Sequence, residues 1–233
     1  MKERKVVLVQ SSVNFNLLYK KLYKIYGPQG WWPLINYKGK NPTKTGSING
    51  YHPGNYEFPR NENEKFEICL GAILTQNTSW PNVERALINL EKAKILDVNE
   101  ILKSDESLVK ECIRPAGYYN QKYKKIIEFC NFFIKLNGRE PKREELLALW
   151  GVGEETVDSI LLYAYKKPVL VIDAYTKRVF ERIGIKQIEN KKMKFEKMNE
   201  LHALVVEHCK RVCLKNKPKC KECKIKDVCL FEF

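Results

Sequence analysis

Leu146-Leu-Ala-Leu-Trp-Gly151-Val152-Gly153-Glu-Glu-Thr156, followed by Val169-Leu-Val-Ile-Asp173, is the stretch on which the fold of this chain turns. Two helical patterns, over 142–149 and 154–165, meet at Gly151-Val152-Gly153. Glycines let a backbone turn tightly and approach a partner closely. The amide N–H groups that open the second helix then point outward, and such a helix N-terminus favours an anion, phosphate above all. A plain helix–turn–helix corner would use the same glycines. About twenty residues beyond Gly153, Asp173 follows an apolar run and precedes a helical pattern over 174–183. Its carboxylate is placed to cap that helix, and a capping carboxylate is favoured in its charged form by the helix dipole.

Outward from this stretch the pattern is helix after helix. Towards the N-terminus, helices are expected over 62–74, 80–93, 98–102, 108–113 and 120–136, the first with a continuously apolar and hence buried second half. Residues 13–26 carry Phe15, Leu18, Leu22 and Ile25 at helical spacing, and Gly27-Pro28 stops them. Towards the C-terminus, 193–212 reads as the last long helix. No strand pairs or repeats stand out, so an all-α protein is expected. Residues 36–61 have no apolar period and are rich in Gly, Pro, Asn and Lys. They read as a long loop, either a partner-contacting element or a surface insertion.

Composition narrows the functional classes. With 233 residues and 44% hydrophobic content the chain can bury a real core. Lys and Arg number 42 against 28 Asp and Glu, a formal charge of +14, which favours a polyanionic partner. Met1 to Gln10 hold too short an apolar run for a signal peptide, and no stretch approaches the ~20 apolar residues of a membrane span. A soluble, intracellular protein is expected, cytoplasmic or nucleoid-associated, and monomeric. Eight cysteines in that setting point to metal ligands or buried thiols rather than disulfides.

Four of those cysteines, Cys213, Cys220, Cys223 and Cys229, form C-x6-C-x2-C-x5-C. Soft thiolates on short loops suit an iron–sulfur cluster or tetrahedral zinc. The spacing resembles the cluster-binding tail of the endonuclease III branch of the helix-hairpin-helix DNA glycosylases, which implies a [4Fe–4S] cluster. Cys209 falls outside the pattern and, with Cys69, Cys112 and Cys130, reads as a buried thiol.

The resemblance extends to the opening stretch. Leu-x-x-x-Gly-Val-Gly-x-x-Thr followed by Val-Ile-Asp is similar to the hairpin and catalytic aspartate of that superfamily. It implies a six-helix barrel over 62–167, with a second helical domain built from 1–61 and the cluster-bearing 168–233. It further implies DNA phosphate contacts at Gly151, Val152 and Gly153, with double-stranded DNA containing damaged bases as partner. Asp173 would stabilise the oxocarbenium-like sugar and orient the attacking water. Bifunctional members carry a lysine two residues after the second glycine, which forms a Schiff base. Here that position is Glu155, and a carboxylate cannot form an imine.

Three further segments carry a finer likeness: Gly27-Pro-Gln-Gly-Trp31-Trp32-Pro33, Leu74-Thr-Gln76-Asn77-Thr-Ser-Trp80, and Arg114-Pro-Ala-Gly-Tyr-Tyr-Asn-Gln-Lys122. They resemble the 3-methyladenine DNA glycosylases of the endonuclease III-like type, which also have Glu in place of the lysine. The resemblance implies that Trp31 or Trp32, with Pro33 and Trp80, stack on a flipped-out alkylated base. Such a base is cationic and leaves readily, so it needs electron-rich rings more than a general acid. Gln76 would fill the gap left in the DNA stack. The alternatives are a glycosylase/lyase for oxidised pyrimidines, a G·T or G·U mismatch glycosylase, and an iron–sulfur DNA-binding protein without catalysis.

Overall fold

The computed structural model describes residues 15–43, 45–185 and 193–231. Val13, Asn14 and Lys44 lie outside them, as do residues 186–192 between the ninth and tenth helices. Among the described residues ten α-helices run in order: α1 (Phe15–Tyr26), α2 (Glu62–Leu74), α3 (Trp80–Lys92), α4 (Val98–Lys103), α5 (Glu106–Ile113), α6 (Tyr119–Leu136), α7 (Arg143–Leu147), α8 (Glu154–Tyr163), α9 (Ala174–Ile183) and α10 (Phe195–Arg211). No strand occurs among the described residues. The all-helical expectation holds, with ends moved by a residue or two.

The centre is α2. Every residue from Phe66 to Leu74 is buried, and α3, α6 and α8 pack around it. Full burial of one Leu, Ile or Phe side chain contributes roughly 1.5–3 kcal/mol, so this run alone fixes where α2 must lie. Asn61 caps it by accepting from the Glu64 amide at 2.9 Å. Helices α4 and α5 close the far side against α6, and α7 packs on α8. On the other flank α1 lies along α10, with α9 beside it. Phe15 stacks on Phe180 at 5.3 Å, and Tyr26 reaches His208 on α10 at 2.9 Å. Cys69, Cys112, Cys130 and Cys209 are all buried, as expected of packed thiols.

The described residues of 27–61 form no helix, yet they are not a peripheral loop. Trp32, Leu34, Tyr51, His52 and Phe58 are buried. Backbone bonds such as Gly39 to Asn49 (2.8 Å) and Leu34 to Gly50 (3.1 Å) fold the segment on itself. Carboxylates from three helices attach it to the body. Glu67 of α2 accepts from the Ile35 amide at 2.7 Å. Glu84 of α3 accepts from the Ser47 amide at 2.7 Å. Glu200 of α10 accepts from the Gln29 amide at 2.8 Å and the Tyr56 hydroxyl at 3.2 Å.

Candidate active site

Where the 27–61 segment meets α2, α3, α8, α9 and α10, a cavity of about 410 Å³ opens. Asp173 stands on its wall with Trp31, Trp32, Pro33, Gln76, Trp80 and Glu155. Residues spread over 140 positions of sequence therefore converge on one pocket. Trp32 is buried and meets Trp80 edge-on at 5.4 Å and Tyr163 at 5.3 Å. Trp31 and Trp80 are only partly buried. Lys210 lies over the Trp31 ring at 5.9 Å, and burial lowers its pKa.

Asp173 is 8% exposed and caps α9, accepting from the Thr176 amide at 2.6 Å. Burial pushes its carboxyl pKa up, but His202 and Thr176 outweigh that, and the net shift is downward. His202 Nε2 lies 3.5 Å from Asp173 Oδ2, and its Nδ1 lies 2.6 Å from the Tyr163 hydroxyl. Burial raises the Tyr163 pKa well above its usual value, so the phenol keeps its proton and donates it to Nδ1. That leaves the imidazole N–H on Nε2, 3.5 Å from the aspartate and without a closer acceptor. Tyr163, His202 and Asp173 thus form a chain that keeps a buried carboxylate charged. Composition and motif reading missed His202 and Tyr163. The available signal was α10 itself, where Asn199, Glu200, His202, Glu207 and His208 sit buried within an otherwise apolar run. Thr43, Thr45, Tyr51 and Lys210 also line the pocket and were missed.

The hairpin adjoins the pocket through Gln76 and Thr156, which line it. Gly151 adopts φ +71°, and a Cβ there would meet the Lys125 side chain at 2.4 Å. Val152 is buried and anchors the turn, and Gly153 caps α8 with backbone alone. Gln76 donates to Gly151 O at 3.2 Å and to the Thr156 hydroxyl at 3.0 Å, so the residue expected to enter the DNA stack is tied to the hairpin. Glu155, in the first turn of α8, lines the pocket although it is solvent-exposed overall. Partial desolvation, then the nearby Asp173 charge, raises its pKa. Lys122 does not line the pocket. It is buried, donates to Leu74 O (2.7 Å) and Ala116 O (2.8 Å), and burial lowers its pKa to about 8.

Comparison with known proteins places this geometry. Residues 70–203 match the family described as HhH-GPD superfamily base excision DNA repair protein. The chain belongs to that superfamily. It is a DNA glycosylase. A protein of Methanocaldococcus jannaschii, named as a candidate DNA repair glycosylase, is 38% identical over 99% of each chain. Endonuclease III of Thermotoga maritima is 30% identical, covering 75% of this chain and 87% of its own. Among solved structures, the H. pylori 3-methyladenine DNA glycosylase bound to 1,N6-ethenoadenine aligns with a TM-score of 0.61 and 26% identity, over 84% of this chain and 97% of that one.

The glycosylase's four tail cysteines follow α10 on short turns and ring a single cavity, walled by Val179, Ile183, Val212 and Ile225. Unlike the other four they are only partly buried. Arg182 donates to Cys213 Sγ at 3.1 Å and to the Leu214 carbonyl at 2.9 Å. Among the described residues no three His, Cys, Asp or Glu side chains converge tightly enough to hold a single ion. Four soft thiols around one apolar-walled cavity, with a guanidinium beside one of them, are a donor set that fits a multi-iron cluster. Cys209 does not line this cavity: it donates to the Tyr175 carbonyl at 3.5 Å and lies against the Cys213 thiol from behind.

Proposed function

We propose that this glycosylase hydrolyses the N-glycosidic bond of alkylated, 3-methyladenine-like purines in DNA and leaves an abasic site in an uncut strand. The observation that carries the reading is one pocket holding an ionised Asp173 among tryptophans, with Glu155 where a Schiff-base lysine would stand. The hairpin amides at Gly151, Val152 and Gly153 take the DNA backbone, Gln76 enters the stack, and the damaged base turns into the pocket. Trp80 and Trp31, the partly exposed rings, give it stacking faces, with Trp32 and Pro33 behind them. Lys210 already occupies one face of Trp31, so Trp80 offers the freer face for a cationic base. As the base departs, positive charge develops on the sugar, and Asp173 stabilises it and orients water for attack. His202 and Tyr163 keep that carboxylate charged throughout. The H. pylori relative, a 3-methyladenine glycosylase that binds 1,N6-ethenoadenine, supports a purine pocket.

Cys213, Cys220, Cys223 and Cys229 are proposed to hold a [4Fe–4S] cluster, which would tie down a tail with little core of its own. In this reading 62–167 form the barrel, and 1–61 with 168–233 form the second domain.

Release of free 3-methyladenine from methylated duplex DNA tests the proposal. Asp173→Asn should lower release by orders of magnitude with DNA binding kept, because the amide preserves the cap but loses the charge. Borohydride should trap no covalent adduct. A strong adduct would overturn the hydrolytic reading, and Lys210, the lysine that lines the pocket, would be the residue to map.

A further inference from the structure

Glu84 has no part in the chemistry described above, yet it is among the most deeply buried charges in the molecule, at 2% exposure. It sits on α3 one turn after Trp80. One carboxylate oxygen, Oε1, accepts from the Trp80 indole N–H at 2.7 Å. The other, Oε2, accepts from the Ser47 amide at 2.7 Å and the Ser47 hydroxyl at 3.3 Å. The approach of the loop depends on a glycine. Gly46 has φ +84°, and a Cβ there would lie 2.0 Å from Glu84 Oε1. Next to it, Thr43 and Thr45 line the pocket that Trp80 also lines. Asn41 stiffens this turn, accepting from the Thr43 amide at 2.8 Å and donating to the Ile48 carbonyl at 3.2 Å.

We infer that Glu84 is a specificity-determining positioning residue, which sets the width of the base pocket by locking the 45–51 loop to the indole of Trp80. The inference rests on the reading of this pocket as the base site. The loop wall and the stacking ring share one carboxylate, so they cannot separate without breaking a charge-assisted hydrogen bond in a buried place, where such bonds are strongest. A base that fits the slot leaves both bonds intact. A base with an added ring must push the loop and Trp80 apart and break one of them. Glu84 therefore favours small adducts over bulky ones, and the segment that resembled a surface insertion becomes the gauge of what may enter.

Glu84→Gln keeps the volume but turns an N–H group towards either the Trp80 indole N–H or the Ser47 donors, so it opens one of the two links. Steady-state release should be measured on duplexes carrying 3-methyladenine and, separately, 1,N6-ethenoadenine. The variant should raise KM for 3-methyladenine by about tenfold, as expected for loss of a hydrogen bond to a charged group, with kcat changed less. The preference for the small adduct should shrink by a similar factor. Trp80→Phe removes the indole N–H from the other side, keeps a ring, and should flatten the preference in the same direction. The double variant should be no worse than Glu84→Gln alone, since both changes break one link. Unchanged KM and unchanged preference in Glu84→Gln, with only a lower melting temperature, would reduce Glu84 to a structural carboxylate. Should that variant not fold, an unchanged preference in Trp80→Phe would overturn the inference by itself. Trp80→Ala separates the two levels: if it leaves release of both bases unaltered, the pocket assignment itself fails and the gauge with it.

Discussion

Helix α2 and the 27–61 segment lie against each other and are held by opposite means. Along α2 a continuous apolar run is buried on all sides, and water exclusion alone gives it a place. The segment beside it buries Trp32, Leu34, Tyr51 and Phe58 without any period to align them. Its order comes from Glu67, Glu84 and Glu200, each reaching out from a helix to accept a backbone N–H. Apolar burial is tolerant of detail and loses stability in proportion to what is removed. A buried carboxylate has direction, so its loss changes shape at one point and leaves the rest standing. The barrel should therefore govern stability, and the carboxylates should govern the pocket.

That contrast can be broken at several points. The largest effect should come from Phe66→Ala. Phe66 is buried against Phe133, with ring centroids 5.4 Å apart, and the change should cost roughly 3–5 kcal/mol. Denaturant unfolding would measure it. A matching change in base preference would show that barrel and pocket are not separable.

Glu67 gives the next largest effect, and its sign depends on pH. Burial raises its pKa from 4.5 to about 7. A carboxyl with a raised folded pKa contributes stability that is fully present below about pH 4.5 and is lost as pH rises through about 7. The folded protein thus carries a penalty of up to about 3 kcal/mol above neutrality. Glu67→Gln, which mimics the protonated acid, should raise Tm at pH 8 and change little at pH 4.5. Equal melting shifts at both pH values would exclude this account.

Glu200→Ala removes the acceptor for Gln29 and Tyr56. Unpaired buried donors cost about 1–3 kcal/mol, and the loss should be local. Hydrogen exchange should speed up at the Gln29 and Gly30 amides while the α2 core stays protected. Uniform acceleration across α2 would contradict a local role. Smallest of all should be Lys103→Ala, which deletes an exposed ion pair with Glu100. Surface pairs of this kind are worth about 0–1 kcal/mol, so a Tm shift beyond a few degrees would be unexpected.

The same contrast explains what could be read from the sequence. Periodicity placed the helices because a helix repeats its environment every turn, and the Asp173 cap lay a few residues from the amide it binds. The pocket's aromatic motifs were visible as motifs. What stayed hidden are long-range polar pairings with no period: Glu200 finds Gln29 171 residues away, and His202 is just one histidine on an apolar helix until Asp173 arrives beside it. The 36–61 segment lacked a role for the same reason, since Ser47 and Tyr56 are held by Glu84 and Glu200, 37 and 144 residues further along the chain.

One contact has a consequence for how the molecule is made. Helix α1 packs on α10, and Tyr26 meets His208 across 182 residues of sequence. A ribosome adds roughly 5–20 residues per second, so α1 emerges roughly ten seconds or more before its partner does. Through that interval Phe15, Leu18 and Leu22, buried in the finished protein, have nothing to cover them, whereas α2 to α8 can assemble as they appear. Nascent chains halted before residue 195 should leave α1 open to protease while the barrel resists. A helix synthesised early is then among the last to be sheltered, and chaperone demand should concentrate there.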